Sequence, residues 1–401
     1  MGAGLGAPGF PVDHQDAARH RLSWIPLRRD PAAARCSGRG TSVHRIPASA
    51  TQRGSSSEGG IRVRKVTVVV LALVLASLGA ASAAPAGKVT VLCSPNPAWC
   101  DAVKAEFPKA TGIQVDFVRL SSGESLARLR AEGQNPSFDV WFGGTGDPHI
   151  VANEGGLTEF YRPKAWDDLR PEFREAVAGK YIPLYAGILG WALNERLLKE
   201  KNLPVPRTWK DIADPRYRGL IAYPNPNTSG TGYTMIATLV QIYGEQAAFD
   251  LLKAVHKNVA EYTRSGAAPG QLAGRGEVAV GITFIHDAVD QVLKGFPITY
   301  NAPSDGTGYE IGGLSLVKAT RNRANAIAFI EWALTPEAQM LAASQGQSYQ
   351  IPSNSKTPIP SIAPRFQAFK VIKYDFLKYG SAAVRDGLVK KWTAEVFPLP
   401  K

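Results

Sequence analysis

The sequence is poor in sulfur: 401 residues hold three cysteines and three methionines. No C-x-x-C pair occurs, which removes the usual dithiol redox motif, and no second Cys/His pair stands near the cysteines to complete a zinc site. No G-x-S-x-G, no H-E-x-x-H and no other matched nucleophile and base occur, so a hydrolase would lack its local signature. No Lys/Arg-rich run with interleaved aromatics is present, which argues against nucleic acid as a partner. The longest apolar run, residues 66–78, is short for a bilayer span. No internal repeat or low-complexity segment follows residue 87.

Residues 1–60 are rich in Arg, Gly, Ala, Pro and Ser, and such a composition buries too little apolar surface to offset chain entropy. The segment is read as a disordered leader or as an upstream start. After it, "IRVRKVTVVVLALVLASLGAASA" joins Arg62, Arg64 and Lys65 to the apolar run and to Ala81-Ser82-Ala83. A basic head, a short apolar core and an A-x-A site make residues 61–83 a secretory signal peptide. Residues 1–83 hold 11 of the 46 Lys+Arg and 4 of the 34 Asp+Glu. The exported part is therefore only mildly basic, which fits an anionic ligand without requiring one. Cys36 falls in the leader, and Cys93 and Cys100 remain in "VLCSPNPAWCDAV". Two close cysteines in an exported chain suggest one disulfide, worth about 2.5 kcal/mol for so short a loop.

The exported part alternates strand and helix signals. "KVTVLCS" (88–94), "IQVDFVRL" (113–120) and "FDVWFGG" (138–144) read as strands. Between them "PAWCDAVKAEFPKATG" (97–112) and the Ser-capped "SSGESLARLRAEGQ" (121–134) read as helices. Strand-like then helical residues follow at 181–198, a short helix, a turn and a strand at 208–226, and two helices at 232–244 and 245–259. Residues 259–284 hold a strand, a Gly-rich turn, a short helix and a second strand. A further strand spans 309–320, and 323–344 is amphipathic helix interrupted near Pro336. The alternation predicts an α/β sheet with helices on its faces.

The order of "VTVLCS", "FDVWFGG", "TWKDIADPRYRGLIAYPNP", "GEVAVGI" and "FIEWALTPEAQMLAAS" resembles the periplasmic solute-binding proteins of ABC importers, and most closely the group of the ferric-ion-binding proteins. The resemblance spans roughly residues 88–353. It implies an α/β fold of two lobes, the type II or Venus-flytrap architecture, with a ligand cleft between them. The expected lobes are residues 88–185 with 303–352, and 186–302 with 353–401, hinged near 184–188 and 299–305. It further implies a monomeric, non-enzymatic periplasmic receptor that delivers a small anionic solute to a membrane permease, with no cofactor.

One departure is informative. Ferric-binding members carry two adjacent tyrosines after the "GEVAVGI"-like strand, whereas this chain has Ile285-His286-Asp287. Fe³⁺ wants hard anionic oxygens, and a His with one Asp is a poor substitute. The pair, with Glu310 of "SDGTGYEIGGLSLV", is similar to members that hold sugar-phosphate hydroxyls with an equivalent His, Asp and Glu. The chemistry suits that role: carboxylates accept hydrogen bonds and an imidazole can both donate and accept. Asp287 could equally cap the helix of "AVDQVLKG". For a phosphate, Ser/Thr/Gly turns before helices offer free N–H groups: Ser229, Gly230 and Thr231, then Ser122, Thr145, Ser265 and Gly266. Arg264 could neutralise it. Trp141, Trp191 and Tyr185 could stack on a sugar but sit in apolar runs that favour core packing, and His149 is expected on a helix near the cleft mouth. The rival ligands are ferric iron and an organophosphonate or other oxyanion. The rival activity is a secreted hydrolase using His286, Asp287 and Glu310.

Overall fold

A computed structural model describes residues 87–401. The leader, the signal segment and Cys36 lie outside the described residues. Among the described residues no helix is long and apolar enough to cross a membrane.

In chain order the elements are β1 (Lys88–Cys93), α1 (Pro97–Thr111), β2 (Gln114–Arg119), α2 (Ser122–Glu132), β3 (Val140–Phe142), α3 (Gly146–Glu154), β4 (Thr158–Glu159) and α4 (Pro171–Val177). Next come β5 (Ile182–Asn194), α5 (Glu195–Glu200), β6 (Ile221–Pro224), α6 (Gly230–Tyr243), α7 (Glu245–His256), β7 (Val259–Thr263), α8 (Ala268–Arg275), β8 (Val280–Phe284) and α9 (Ile285–Leu293). The chain closes with β9 (Ile298–Asn301), β10 (Tyr309–Val317), α10 (Arg323–Ala333), α11 (Pro336–Ser344), β11 (Ile351–Pro352), α12 (Phe376–Gly380) and α13 (Ala382–Glu395).

Local chemistry sets most of these boundaries. Asn96 accepts a hydrogen bond from the Trp99 N–H and Pro97 opens α1, whose stop is Gly112 at φ 74°. Ser121 and Glu124 form a capping box at the head of α2. Thr335 caps α11 just before Pro336, so the helical run of 323–344 is two helices. In the run 181–198, helix is confined to Glu195–Glu200. Leu189–Leu193 stay extended because β8 takes one edge of them and β9 pairs with Trp191–Asn194 on the other.

The strands form one mixed sheet in the order β2-β1-β3-β10-β5-β8-β6-β7, with β4, β9 and β11 added at its margins. It has two halves. β1 runs parallel to β2 and β3 in the first, and β6 runs parallel to β7 and β8 in the second. β5 belongs to both. Its residues up to Ile188 pair with β10, and those from Leu189 pair with β8. All 13 of its residues are buried, as expected of a strand covered on both faces.

Each half has its own apolar core. Phe107, Phe142, Phe329 and Trp99 pack together in the first. Trp191, Trp209, Tyr217 and Phe249 fill the second. Cys93, at the end of β1, is bonded to Cys100 in the first turns of α1, and both are buried. The bridge ties the first strand to the first helix next to Ser94, which faces the cleft described below. Replacing both cysteines with alanine is expected to lower unfolding free energy by about 2.5 kcal/mol, read as a shift of the urea midpoint that reductant reproduces in the native chain.

Candidate functional site

Parallel strands aim their carboxyl ends at one place in each half, and the helices that follow begin there. The ends of β1, β2 and β3 lead into Ser94, Arg119 and Gly144-Thr145, and those of β6, β7 and β8 into Ser229, Gly266-Ala267 and His286-Asp287. All of these residues line one cleft. The N-termini of α2, α3, α6, α8 and α9 converge on it, as the carboxyl edge of an open α/β sheet requires. Unpaired N–H groups and helix dipoles make such a place attractive to an anion.

The sequence-selected residues fall into two neighbouring clusters. The first is made of turns. The Thr145 N–H donates to Ser122 Oγ at 3.1 Å. A Cβ on Gly230 would lie 1.8 Å from Thr145 Oγ1, and one on Gly266 would lie 1.9 Å from Thr231 Oγ1. Ser122, Thr145, Ser229, Gly230, Thr231 and Gly266 therefore share one wall, and Gly230 permits the close approach of the two halves of the sheet. Ser265 does not line the cleft, and its carbonyl accepts from Thr263 Oγ1 at 2.8 Å.

The second cluster is acid and imidazole. His286 and Asp287 stand in the first turn of α9 rather than before it, so Asp287 does not cap the helix. Glu310 comes from β10, across β5. A Cβ on Gly187 of β5 would lie 2.6 Å from His286 Nδ1 and 3.1 Å from Glu310 Oε1. Only glycine fits there, and its absent side chain leaves these two groups side by side. His286 Nε2 lies 3.7 Å from Asp287 Oδ1. Thr283 Oγ1 joins the clusters, being 3.0 Å from Asp287 Oδ2 and 2.7 Å from Gly266 O. One hydroxyl proton cannot serve both oxygens. Thr283 donates to Asp287 when the acid is ionised, and a protonated Asp287 can donate to Thr283 instead, freeing the hydroxyl proton for Gly266 O.

Burial governs the charges. It pushes the Asp287 carboxyl up to about 7, with nearby Asp290 adding to the shift and Thr283 and Arg119 opposing it. It raises Glu310 well above the usual carboxylate range, helped by Asp287 and Asp147. It holds the His286 imidazolium down to about 3, so the ring is neutral at physiological pH. Among the residues lining the cleft Arg119 is the one cation. Its Nε donates to Pro95 O at 3.1 Å. A cleft with two acids thus carries little negative charge at neutral pH, and an anionic ligand is not repelled from it.

Four further candidates, Arg264, His149, Trp141 and Trp191, lie elsewhere than on the cleft wall. Arg264 is largely exposed and pairs with Glu124, its Nε donating to Oε1 at 2.9 Å. His149 is fully buried, stacked on Trp141 with ring centres 3.8 Å apart and held by Ser315 and Gly143 O. Trp191 packs edge-on against Trp209 in the core. Tyr185 does both jobs: it packs on Trp99, faces the cleft and accepts from the Gly144 N–H at 2.9 Å. Sequence reasoning missed Arg119, Asn96, Ser348 and Gln350 as lining residues. Only Arg119 carried a signal, standing two residues before the Ser121-Ser122-Gly123 turn.

Asp287 binds its proton more tightly folded than unfolded, so its ionisation costs stability between pH 3.8 and about 7. Asp287→Asn removes that cost. It is expected to stabilise the chain at pH 8 by on the order of 4 kcal/mol, with the gain vanishing near pH 4, in urea titrations at the two pH values.

Residues 149–379 match the family described as bacterial extracellular solute-binding protein. An uncharacterised protein of Haemophilus influenzae is 42% identical over 335 residues, covering 82% of this chain and 96% of its own. The structure of the periplasmic binding protein AfuA from Actinobacillus pleuropneumoniae, solved with exogenous fructose 6-phosphate, is 38% identical with a TM-score of 0.77, over 78% of this chain and 100% of that one. The periplasmic binding protein P5PA is 32% identical with a TM-score of 0.75, over 77% and 99%. The mixed sheet, the cleft at its strand ends and these likenesses agree: the chain belongs to the bacterial extracellular solute-binding protein family.

Proposed function

We propose that the protein is the periplasmic receptor of an ABC importer and that its solute is a sugar phosphate of the hexose phosphate class. The observation that carries this reading is the pairing of two clusters in one cleft. Ser122, Thr145, Ser229, Gly230, Thr231 and Gly266 present hydroxyls and helix N-termini beside Arg119, which suits a phosphate. His286, Asp287 and Glu310 present a neutral imidazole and two protonatable acids, which suits hydroxyls that donate and accept in turn. The fructose 6-phosphate in the AfuA structure supports the same assignment.

Residues 88–185 with 303–352 form one lobe in this reading, and 186–302 with 353–401 the other. They hinge near 184–188, where β5 leaves one half of the sheet for the other, and near 299–305. The closed form is what a permease would recognise. The signal peptide delivers the chain to the periplasm, and no chemistry is done on the solute. An organophosphonate would use the phosphate wall but leave His286 and Glu310 idle. Ferric iron would find no phenolate pair and, among the described residues, no cluster of three or more His, Cys, Asp or Glu side chains placed to hold a metal.

Thermal-shift measurement against fructose 6-phosphate, glucose 6-phosphate, 2-aminoethylphosphonate, inorganic phosphate and Fe³⁺ tests the proposal. A hexose phosphate at 100 times its dissociation constant should add about 2.7 kcal/mol of stability. His286→Ala and Glu310→Gln should each abolish that shift while the free protein stays folded. A shift with the phosphonate, with iron or with inorganic phosphate alone would overturn the sugar-phosphate assignment.

A further inference from the structure

Gln350 enters the cleft from the segment between α11 and β11, and it is 7% exposed. The β11 pairing with β5 fixes its position, since Ile351 stands opposite Ala186 and Pro352 opposite Tyr185. Its amide nitrogen meets His286 Nε2 at 3.2 Å. The ring of His286 is held on another side by Phe284, nearly parallel to it at 13°. A carboxamide nitrogen only donates, so Nε2 must offer its lone pair. In a neutral imidazole the single proton then sits on Nδ1.

That leaves two unspent groups. His286 Nδ1 and Gln350 Oε1 are both buried and both without a partner, and their residues face the same cleft. One is a donor and the other an acceptor. Buried polar groups left unpaired are costly, so this pair is poised for something that accepts from one and donates to the other. A hydroxyl does both.

We infer that Gln350 is a positioning and specificity residue: it holds His286 in the Nδ1–H tautomer and offers Oε1 to a hydroxyl of the solute. This deepens the sugar-phosphate reading and rests on it. The amide contributes to recognition of the polyol and not of the phosphate, because its contacts lie with His286 and not with the Ser/Thr/Gly turns. An analogue in which the hydroxyl is replaced by hydrogen leaves Oε1 and Nδ1–H unpaired and is rejected for that reason.

The test has two arms. In ¹⁵N-labelled, ligand-free protein, long-range ¹H–¹⁵N correlation reads both ring nitrogens of His286, assigned by their loss in His286→Asn. The expected pattern is Nδ1 protonated and Nε2 bare. In Gln350→Met, which has no amide to donate, protonation of Nε2 should appear. A protonated Nε2 in the native chain, or an unchanged pattern in Gln350→Met, overturns the tautomer assignment whether or not sugars bind. In the second arm, Gln350→Met keeps the length and loses the polarity. It should weaken fructose 6-phosphate binding by about 10- to 100-fold and leave inorganic phosphate binding unchanged. Equal loss for both ligands, or none for either, overturns the specificity role. Native protein that binds no sugar phosphate at all overturns the proposed function and the hydroxyl role with it, while the tautomer arm still stands or falls alone.

Discussion

A single strand carries the architecture. β5 is buried from Ile182 to Asn194 and hydrogen-bonds in turn to β10, β8, β9 and β11. A strand used on both edges and both faces has little freedom to shift register, because a slip of one residue would turn every side chain to the opposite face. The position of Gly187 along it therefore fixes how near His286 and Glu310 can stand, and the position of Tyr185 fixes the turn at Gly144. The cleft is thus a by-product of one pairing scheme, with its donors and acceptors set by strand register rather than by flexible loops.

The electrostatics follow from the same burial. Asp287 and Glu310 come from different elements, α9 and β10, yet face the same cleft. Two carboxylates so placed cannot both ionise cheaply. Their protons become part of the recognition surface, since a protonated acid donates where a carboxylate only accepts. The neutral His286 adds no charge of its own. The cation of the cleft, Arg119, is supplied from the end of β2.

Much of this was legible in the sequence, for reasons that can be named. The β1, α1, β2 and α2 boundaries follow from alternation, from Pro97, from Gly112 and from the Ser121–Glu124 box, all local signals. The His-Asp pair at the end of an apolar strand and the Ser/Thr/Gly turns before helices were visible because chemistry and position coincide there. Gln350 was not visible. It sits in "QSYQIP", a polar stretch without periodicity, and its role depends on a partner 64 residues away. For Arg264 the sequence left phosphate and surface roles equally open. A cation beside a Ser-Gly turn looks like a phosphate partner, but its long side chain swings outward to Glu124. His149 and Trp141 are adjacent only in space, so their stacking could not be read from spacing.

The Arg264–Glu124 pair, the Gly123 N–H donating to Thr228 O at 2.9 Å and Ser121 Oγ donating to the same carbonyl at 2.8 Å join the two halves of the sheet at the rim of the cavity. If the halves close on a solute as proposed, contacts of that kind would favour closure equally with and without it, and their strength would set how often an unloaded molecule resembles a loaded one. With its arginine side chain 82% exposed, the ion pair is weakened by water and salt. Under the proposed role, that weakness would leave only the neutral hydrogen bonds to hold an unloaded receptor shut.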